Sequence, residues 1–141
     1  MSQGLFFEDL CVGQTASFAK TITEADILLF TAVSGDTNAV HLDEEFAAAS
    51  PFKGRIAHGM LSAALISAVL GTRLPGPGTV YLGQTLKFRA PVRPGDTVTA
   101  TATVTALDPA KKRATLSTIC SVGGRPVIDG EAVVLVQSRP D

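Results

Sequence analysis

Two short segments carry the residue types that could do chemistry in this chain: Ser34-Gly35-Asp36-Thr37-Asn38-Ala39-Val40-His41, and Ala57-His58-Gly59-Met60 at the head of an uncharged apolar stretch. Within 25 residues they hold an acid, an imidazole and a glycine at a candidate helix start. A carboxylate and an imidazole move protons, and backbone N–H groups at a helix start hold negative charge as it develops on a carbonyl oxygen. Such a set suffices to add water across an activated double bond with no metal and no cofactor.

Each residue also has a plainer reading. Taken alone, Asp36 reads first as a turn or cap residue whose carboxylate accepts local backbone N–H groups, and Asn38 has the same explanation. A lone His41 reads as a satisfied histidine at the edge of a core. The pair says more than either member, because both lie in one short connection and the chain has only one other histidine, His58. A straight helix would point residues five apart to different sides, whereas a turn-rich connection folds both towards one point. Gly59 either permits close packing or leaves its N–H open to an anion. Ser62 and Ser67 are small polar positions on an apolar helix, where a serine ordinarily bonds back to its own backbone. In a hydration reaction Asp36 is assigned the base and His41 the acid, with a single water supplying both hydrogen and hydroxyl as the alternative. Asp36 then requires partial burial to act near neutral pH.

The elements that must position these residues follow from spacing. Thr23 reads as an N-cap with Asp26 at the third helical position and Ile22 packed on Ile27, which predicts a helix from about Glu24 to Val33. Ser34-Gly35 stops it, leaving Asp36 to His41 in the connection that follows. Asp43-Glu44-Glu45 opens a short second helix ended by Ser50-Pro51. Met60, Leu61, Ala64, Leu65, Ala68 and Val69 form one stripe of a third helix and Ile66 and Leu70 make its other side apolar, so it is expected to be buried all round. Pro75-Gly76-Pro77-Gly78 cannot continue that helix, and the texture then alternates with period two. Val98, Ala100, Ala102, Val104 and Ala106 form one inward row, Val80, Leu82, Leu86 and Phe88 a second, and Ile128, Ala132, Val134 and Val136 a third. Turns at Arg93-Pro94-Gly95-Asp96, Asp108-Pro109-Ala110-Lys111 and Gly123-Gly124 are short enough for antiparallel hairpins. With an early strand around Gln14 to Thr21, the order is strand, three helices, then about four antiparallel strands. An α+β fold, with a curved sheet wrapped around the long helix, satisfies that pattern.

The bulk numbers narrow the function classes. A chain of 141 residues with 45% hydrophobic content fits one domain with one core, residues 1-141. Twelve Lys and Arg against thirteen Asp and Glu leave a formal charge of -1, which points to neither nucleic acid nor an anionic membrane surface as partner. Lys53, Arg55, Lys87, Arg89, Arg93, Lys111, Lys112 and Arg113 are scattered and read mostly as solvated charges. Cys11 and Cys120 stand in no metal-ligand spacing and no basic region followed by an apolar run opens the chain, so a reduced, cytoplasmic protein is expected. Phosphate-loop, serine-hydrolase, thiol-redox and zinc-protease motifs are all missing.

Gly35-Asp36-Thr37-Asn38-Ala39-Val40-His41 resembles the hydratase motif of MaoC-like proteins, and Ile56-Ala57-His58-Gly59-Met60 resembles the start of their central helix. Tyr81 to Phe88, Pro91-Val92 and Gly95-Asp96 continue the likeness in order, over nearly the whole chain. It is most similar to the short (R)-specific enoyl-CoA hydratases that link fatty acid β-oxidation to polyhydroxyalkanoate synthesis. The resemblance implies a hot-dog fold, a homodimer, and hydration of short trans-2-enoyl-CoA to (R)-3-hydroxyacyl-CoA with no cofactor. Carried over by position, Asp36 and His41 are the catalytic pair, Gly59 the oxyanion N–H, and Asn38 and Ser67 support or substrate-binding residues. Ala39 stands where the family usually has proline, which bears on loop stiffness but removes no chemical group. The rivals are a hot-dog acyl-CoA thioesterase, using the same oxyanion site, and a non-catalytic acyl-thioester binding module.

Overall fold

The computed structural model describes residues 4–141. Strand β1 (Thr15–Thr21) leads into helix α1 (Glu24–Ser34). The entry is a full capping box, with the Thr23 side chain accepting from the Asp26 N–H and Asp26 accepting from the Thr23 N–H; loss of such a cap typically costs about 1 kcal/mol. Ile22 and Ile27 are both fully buried beside it. Gly35 ends the helix at φ 77°, a left-handed conformation that glycine adopts without a Cβ penalty. Two short helices follow, α2 (Ala39–Leu42) and α3 (Glu44–Ala48), and then the long α4 (Gly59–Thr72). Strands β2 (Val80–Gln84), β3 (Lys87–Phe88), β4 (Thr97–Asp108), β5 (Arg113–Val122) and β6 (Arg125–Leu135) complete the chain.

All pairings are antiparallel, in the order β1-β4-β5-β6-β2, with β3 also on β6. Gly123 and Gly124, both at positive φ, make the tight turn between β5 and β6, as a two-residue hairpin of matching twist requires. Gly130 is fixed by a different constraint: a Cβ there would lie 1.8 Å from the Thr85 carbonyl oxygen. Helix α4 packs on β1, β4 and β5, so Leu65, Ile66, Val69 and Leu70 enter one core with Val98, Ala100, Ala102, Val104, Leu116, Ile128 and Val134. This is the hot-dog arrangement, an antiparallel sheet around a central apolar helix.

Three expectations need correction. Helix α4 is not buried all round: Met60, Ala64, Ser67 and Gly71 form an exposed stripe, because the sheet covers it from one side only. Val80, Leu82 and Phe88 likewise are not buried; they are 48%, 44% and 53% exposed, the first two because β2 is an edge strand, and Phe88, on β3, because its ring lies beside Gly59 at an open cleft rather than in the core. The inward row of β4 ends at Val104, because a bulge between Val104 and Ala106 turns Ala106 outward.

Candidate active site

The loop after α1 is held by its own side chains. Ser34 Oγ accepts the Asp36 N–H at 3.1 Å, Asp36 Oδ1 accepts the Asn38 N–H at 3.2 Å, and Asn38 Oδ1 accepts the Val40 N–H at 3.1 Å. The turn reading of Asp36 and Asn38 is therefore true, and it does not exclude chemistry, since only one carboxylate oxygen of Asp36 is engaged in this way. Asn38 is the N-cap of α2, so His41 lies in a helical turn rather than in the irregular connection expected from sequence. Ala39 is the first residue of that turn, and among the described residues no acceptor meets its N–H. Proline is favoured at this position, and Asn38 at φ -53° and ψ 126° already has the conformation a residue before proline needs. Ala39→Pro is expected to raise stability by about 0.4–1 kcal/mol, read as a higher urea midpoint, by restricting the unfolded chain.

His41 is 7% exposed, and its Nδ1 lies 2.8 Å from the Ile56 carbonyl oxygen. A carbonyl only accepts, so Nδ1 carries the proton and Nε2 of the neutral ring keeps its lone pair. Arg55, read from sequence as a solvated charge, holds this arrangement from behind. Its Nε donates to the His41 carbonyl at 2.8 Å while its two Nη atoms clamp the Glu24 carboxylate at 3.0 and 2.7 Å. Arg93 is similarly committed, its Nη1 donating to the Gly54 carbonyl at 3.0 Å. Backbone partners of this kind leave no signal in a residue pattern. Segment 56–58 is pinned between the Val40 carbonyl, 3.3 Å from the Ile56 N–H, and the Val92 carbonyl, 2.7 Å from the Ala57 N–H.

His58, which sequence reasoning placed at a helix start without giving it a role, lies at the centre. It is 2% exposed, its ring stacks on His41 with centroids 3.9 Å apart and planes 30° apart, and its Nε2 lies 3.1 Å from the Asp36 carbonyl oxygen. Nitrogens of both imidazoles and a carboxylate oxygen of Asp36 fall within 4.8 Å of one another. That is also a metal-type donor set. Two imidazoles lying nearly face to face, however, direct their lone pairs side by side rather than towards a common point, and turning His41 would break its bond to Ile56. The arrangement suits proton transfer better than shared coordination.

Burial is the main influence on His58 and pushes its pKa below the ordinary 6.5; the bond to the Asp36 carbonyl opposes this, the nearby His41 adds to it, and the Asp36 charge opposes it. The unfolded chain takes up this proton more readily than the folded one, so the contribution is fully present above about pH 6.5 and is lost as the pH falls below it. The carboxyl of Asp26, held below its ordinary 3.8 chiefly by Lys20, is lost only in a lower window. The urea midpoint should therefore drop as the pH falls below about 6.5, and His58→Gln should shrink that drop.

Asp36, His58, Gly59, Phe88 and Ile128 line a cleft of about 430 Å³. His41 is not among the residues that line this cleft; it is buried against His58, on which it stacks. Gly59 opens α4, and His58 caps it with no side-chain hydrogen bond. Among the described residues no acceptor meets the Gly59 N–H, so the positive helix end is open to an anion. Both readings of this glycine hold, because a Cβ would sit 2.6 Å from the Phe88 ring. Asp36 is exposed, without the partial burial expected for it. Ser67 is not brought to this cleft; it faces a second hollow of about 540 Å³ with Phe30, Met60, Tyr81 and Leu82.

A family model described as "MaoC like domain" matches residues 11–122. The (R)-specific enoyl-CoA hydratase of Rhodospirillum rubrum is 62% identical over 134 residues, 95% of this chain and 93% of that one. The 3-hydroxybutyryl-CoA dehydratase of Methylorubrum extorquens is 54% identical, covering 97% of this chain and 87% of the other. Among solved structures, an (R)-hydratase from A. caviae involved in PHA biosynthesis superposes with a TM-score of 0.89 at 48% identity, covering 92% of this chain and 98% of that one.

Proposed function

The chain belongs to the MaoC-like family, and from that premise we propose that it is an (R)-specific enoyl-CoA hydratase, converting trans-2-enoyl-CoA to (R)-3-hydroxyacyl-CoA for polyhydroxyalkanoate synthesis. One observation carries the reading: Asp36 lines a cleft that also holds an unengaged helix start at Gly59, and its carboxylate has an imidazole nitrogen of His41 within 4.8 Å. A binding module has no use for that combination. The Methylorubrum extorquens relative is named for a four-carbon acyl group, which supports short substrates.

The proton balance defines the roles. With Asp36 ionised and His41 neutral, both are acceptors, so a water between them donates one hydrogen to each and turns a lone pair to the β-carbon. As the new C–O bond forms, electrons move to the thioester oxygen, where the Gly59 N–H stabilises the enolate. The water proton passes to His41 Nε2, and the imidazolium is stabilised by the Asp36 carboxylate and the Ile56 carbonyl. Collapse of the enolate then takes that proton at the α-carbon. One water supplies both hydrogen and hydroxyl: with its proton held at Nδ1 the neutral His41 has none at Nε2 to deliver to the α-carbon, so in this reading it first takes the water proton and then returns it, while Asp36 orients the water and stabilises the imidazolium. Asn38 supports the loop as the cap of α2.

The exposed stripe of α4, the edge strand β2 and the hollow between them form one apolar face, with Met60 55%, Tyr81 40% and Leu82 44% exposed. An unpaired edge beside such a face invites a second copy, which would bury Ser67 and narrow the approach to the cleft. Sedimentation should return twice the 14.6 kDa monomer mass, and a monomer at all concentrations would remove the dimer. Free thiols at Cys11 and Cys120 fit a reducing cytoplasm.

The activity is tested with crotonyl-CoA by following enoyl absorbance and free thiol together. Loss of absorbance without thiol release, and a product oxidised by an (R)-specific coupling dehydrogenase, is the expected result. Thiol release would redirect the site to thioester hydrolysis, and no change in either signal would leave only binding.

A further inference from the structure

His58 makes a contact that a space-filling residue would not need. It is nine-tenths buried and more, at 2% exposure. Its Nε2 meets the backbone carbonyl of Asp36 at 3.1 Å and the Thr31 hydroxyl at 3.3 Å. Because that carbonyl only accepts, the proton of the neutral ring sits on Nε2, and Nδ1 is an acceptor; Nδ1 is buried with no hydrogen-bond partner. An unpaired buried acceptor is unfavourable, and a phenyl ring at the same place would avoid it while preserving the stack on His41 and the tilted contact with Phe30. What a phenyl ring could not do is donate to Asp36. The same residue also precedes Gly59, so its backbone sets where α4 begins.

We propose that His58 is a positioning residue for the hydration reaction, donating its Nε2–H to the Asp36 carbonyl so that the Asp36 carboxylate is held opposite the His41 ring on which His58 stacks. The inference rests on Asp36 and His41 carrying the reaction. Asp36 sits on a loop that is exposed from Gly35 to Asn38 and braced chiefly by its own short side chains. The imidazole is the long-range tie from that loop to the start of α4, a separation of 22 residues. A near-attack arrangement tolerates displacements of well under an ångström or so, and loss of this tie releases the carboxylate without removing any reacting group.

The test uses the intact protein and three variants with crotonyl-CoA. His58→Phe keeps a ring for the stack and removes the donor; His58→Gln places an amide N–H near the former Nε2 position; Asp36→Asn tests the reading beneath. His58→Phe should lower kcat by about 10- to 100-fold with KM changed by less than about threefold, and His58→Gln should recover most of that loss. Full kcat in His58→Phe, or a loss in His58→Gln equal to that in His58→Phe, overturns the assignment. In the wild-type protein, ring ¹⁵N shifts should show His58 protonated at Nε2 and His41 at Nδ1; the opposite tautomer at His58 overturns it without any variant. Wild-type turnover in Asp36→Asn would instead remove the catalytic pair itself, a failure separate from that of His58.

Discussion

Asp36→Asn and His41→Asn are each expected to lower turnover of crotonyl-CoA by about 10²–10⁴-fold, the range a positioned acid or base contributes, with the fold intact. The choice of asparagine follows from the hydrogen bonds. In Asp36→Asn the amide oxygen still accepts the Asn38 N–H that Oδ1 accepts now, so the loop keeps its turn and loses only the charge. In His41→Asn the side-chain amide offers an N–H near the position of Nδ1, preserving the bond to the Ile56 carbonyl, while the lone pair at Nε2 disappears. Thermal midpoints and circular dichroism near those of wild type, with turnover gone, would place the loss in the chemistry. Near-normal turnover in either variant would take that residue out of the mechanism.

Gly59→Pro, compared with Gly59→Ala, isolates the backbone donor. Both substitutions bring a Cβ against the Phe88 ring, which lies 2.6 Å from the site of that atom and is 53% exposed, so the ring can swing towards solvent in each. Only proline removes the N–H. It does so at the first helical position, where proline is tolerated, and after His58 at φ -60° and ψ 133°, a conformation compatible with a following proline. The proline variant should turn over about 10²–10³-fold more slowly than the alanine variant, matching the loss of one oxyanion donor at about 2.7–4 kcal/mol. Equal rates in the two variants would mean that the thioester oxygen finds its donor elsewhere.

Much of the scaffold was legible because its signals are local. The Thr23 cap, the stop at Gly35, the short helix after Asp43 and the glycine turn at Gly123-Gly124 each depend on residues within a few positions of one another, and each lies where the spacing places it. Alternation in β4 and β6 was equally readable, since a strand with one buried face repeats every two residues. The same alternation misled at Val80, Leu82 and Phe88, because period two says that one face is covered without saying by what. An apolar helix misled in the same way: composition could not reveal that Met60, Ala64 and Ser67 lie on the side the sheet leaves open.

The candidate site divides along the same line. Asp36, His41 and Gly59 could be named from residue types and order, each beside a plainer structural reading, and the resemblance along the chain is what turned the balance towards catalysis. Their geometry could not, because the contacts that set it span long separations and end on backbone atoms. The Ile56 carbonyl decides which nitrogen of His41 holds the proton, Arg55 secures the His41 carbonyl across 14 residues, and His58 reaches Asp36 across 22. A carbonyl oxygen is present at every residue, so no pattern of side chains marks the one that will be used. The sequence by itself determined which chemical groups are present and which elements carry them; the tertiary structure alone decided their tautomers, their partners and the face that remains open, because those depend on where distant backbone atoms come together.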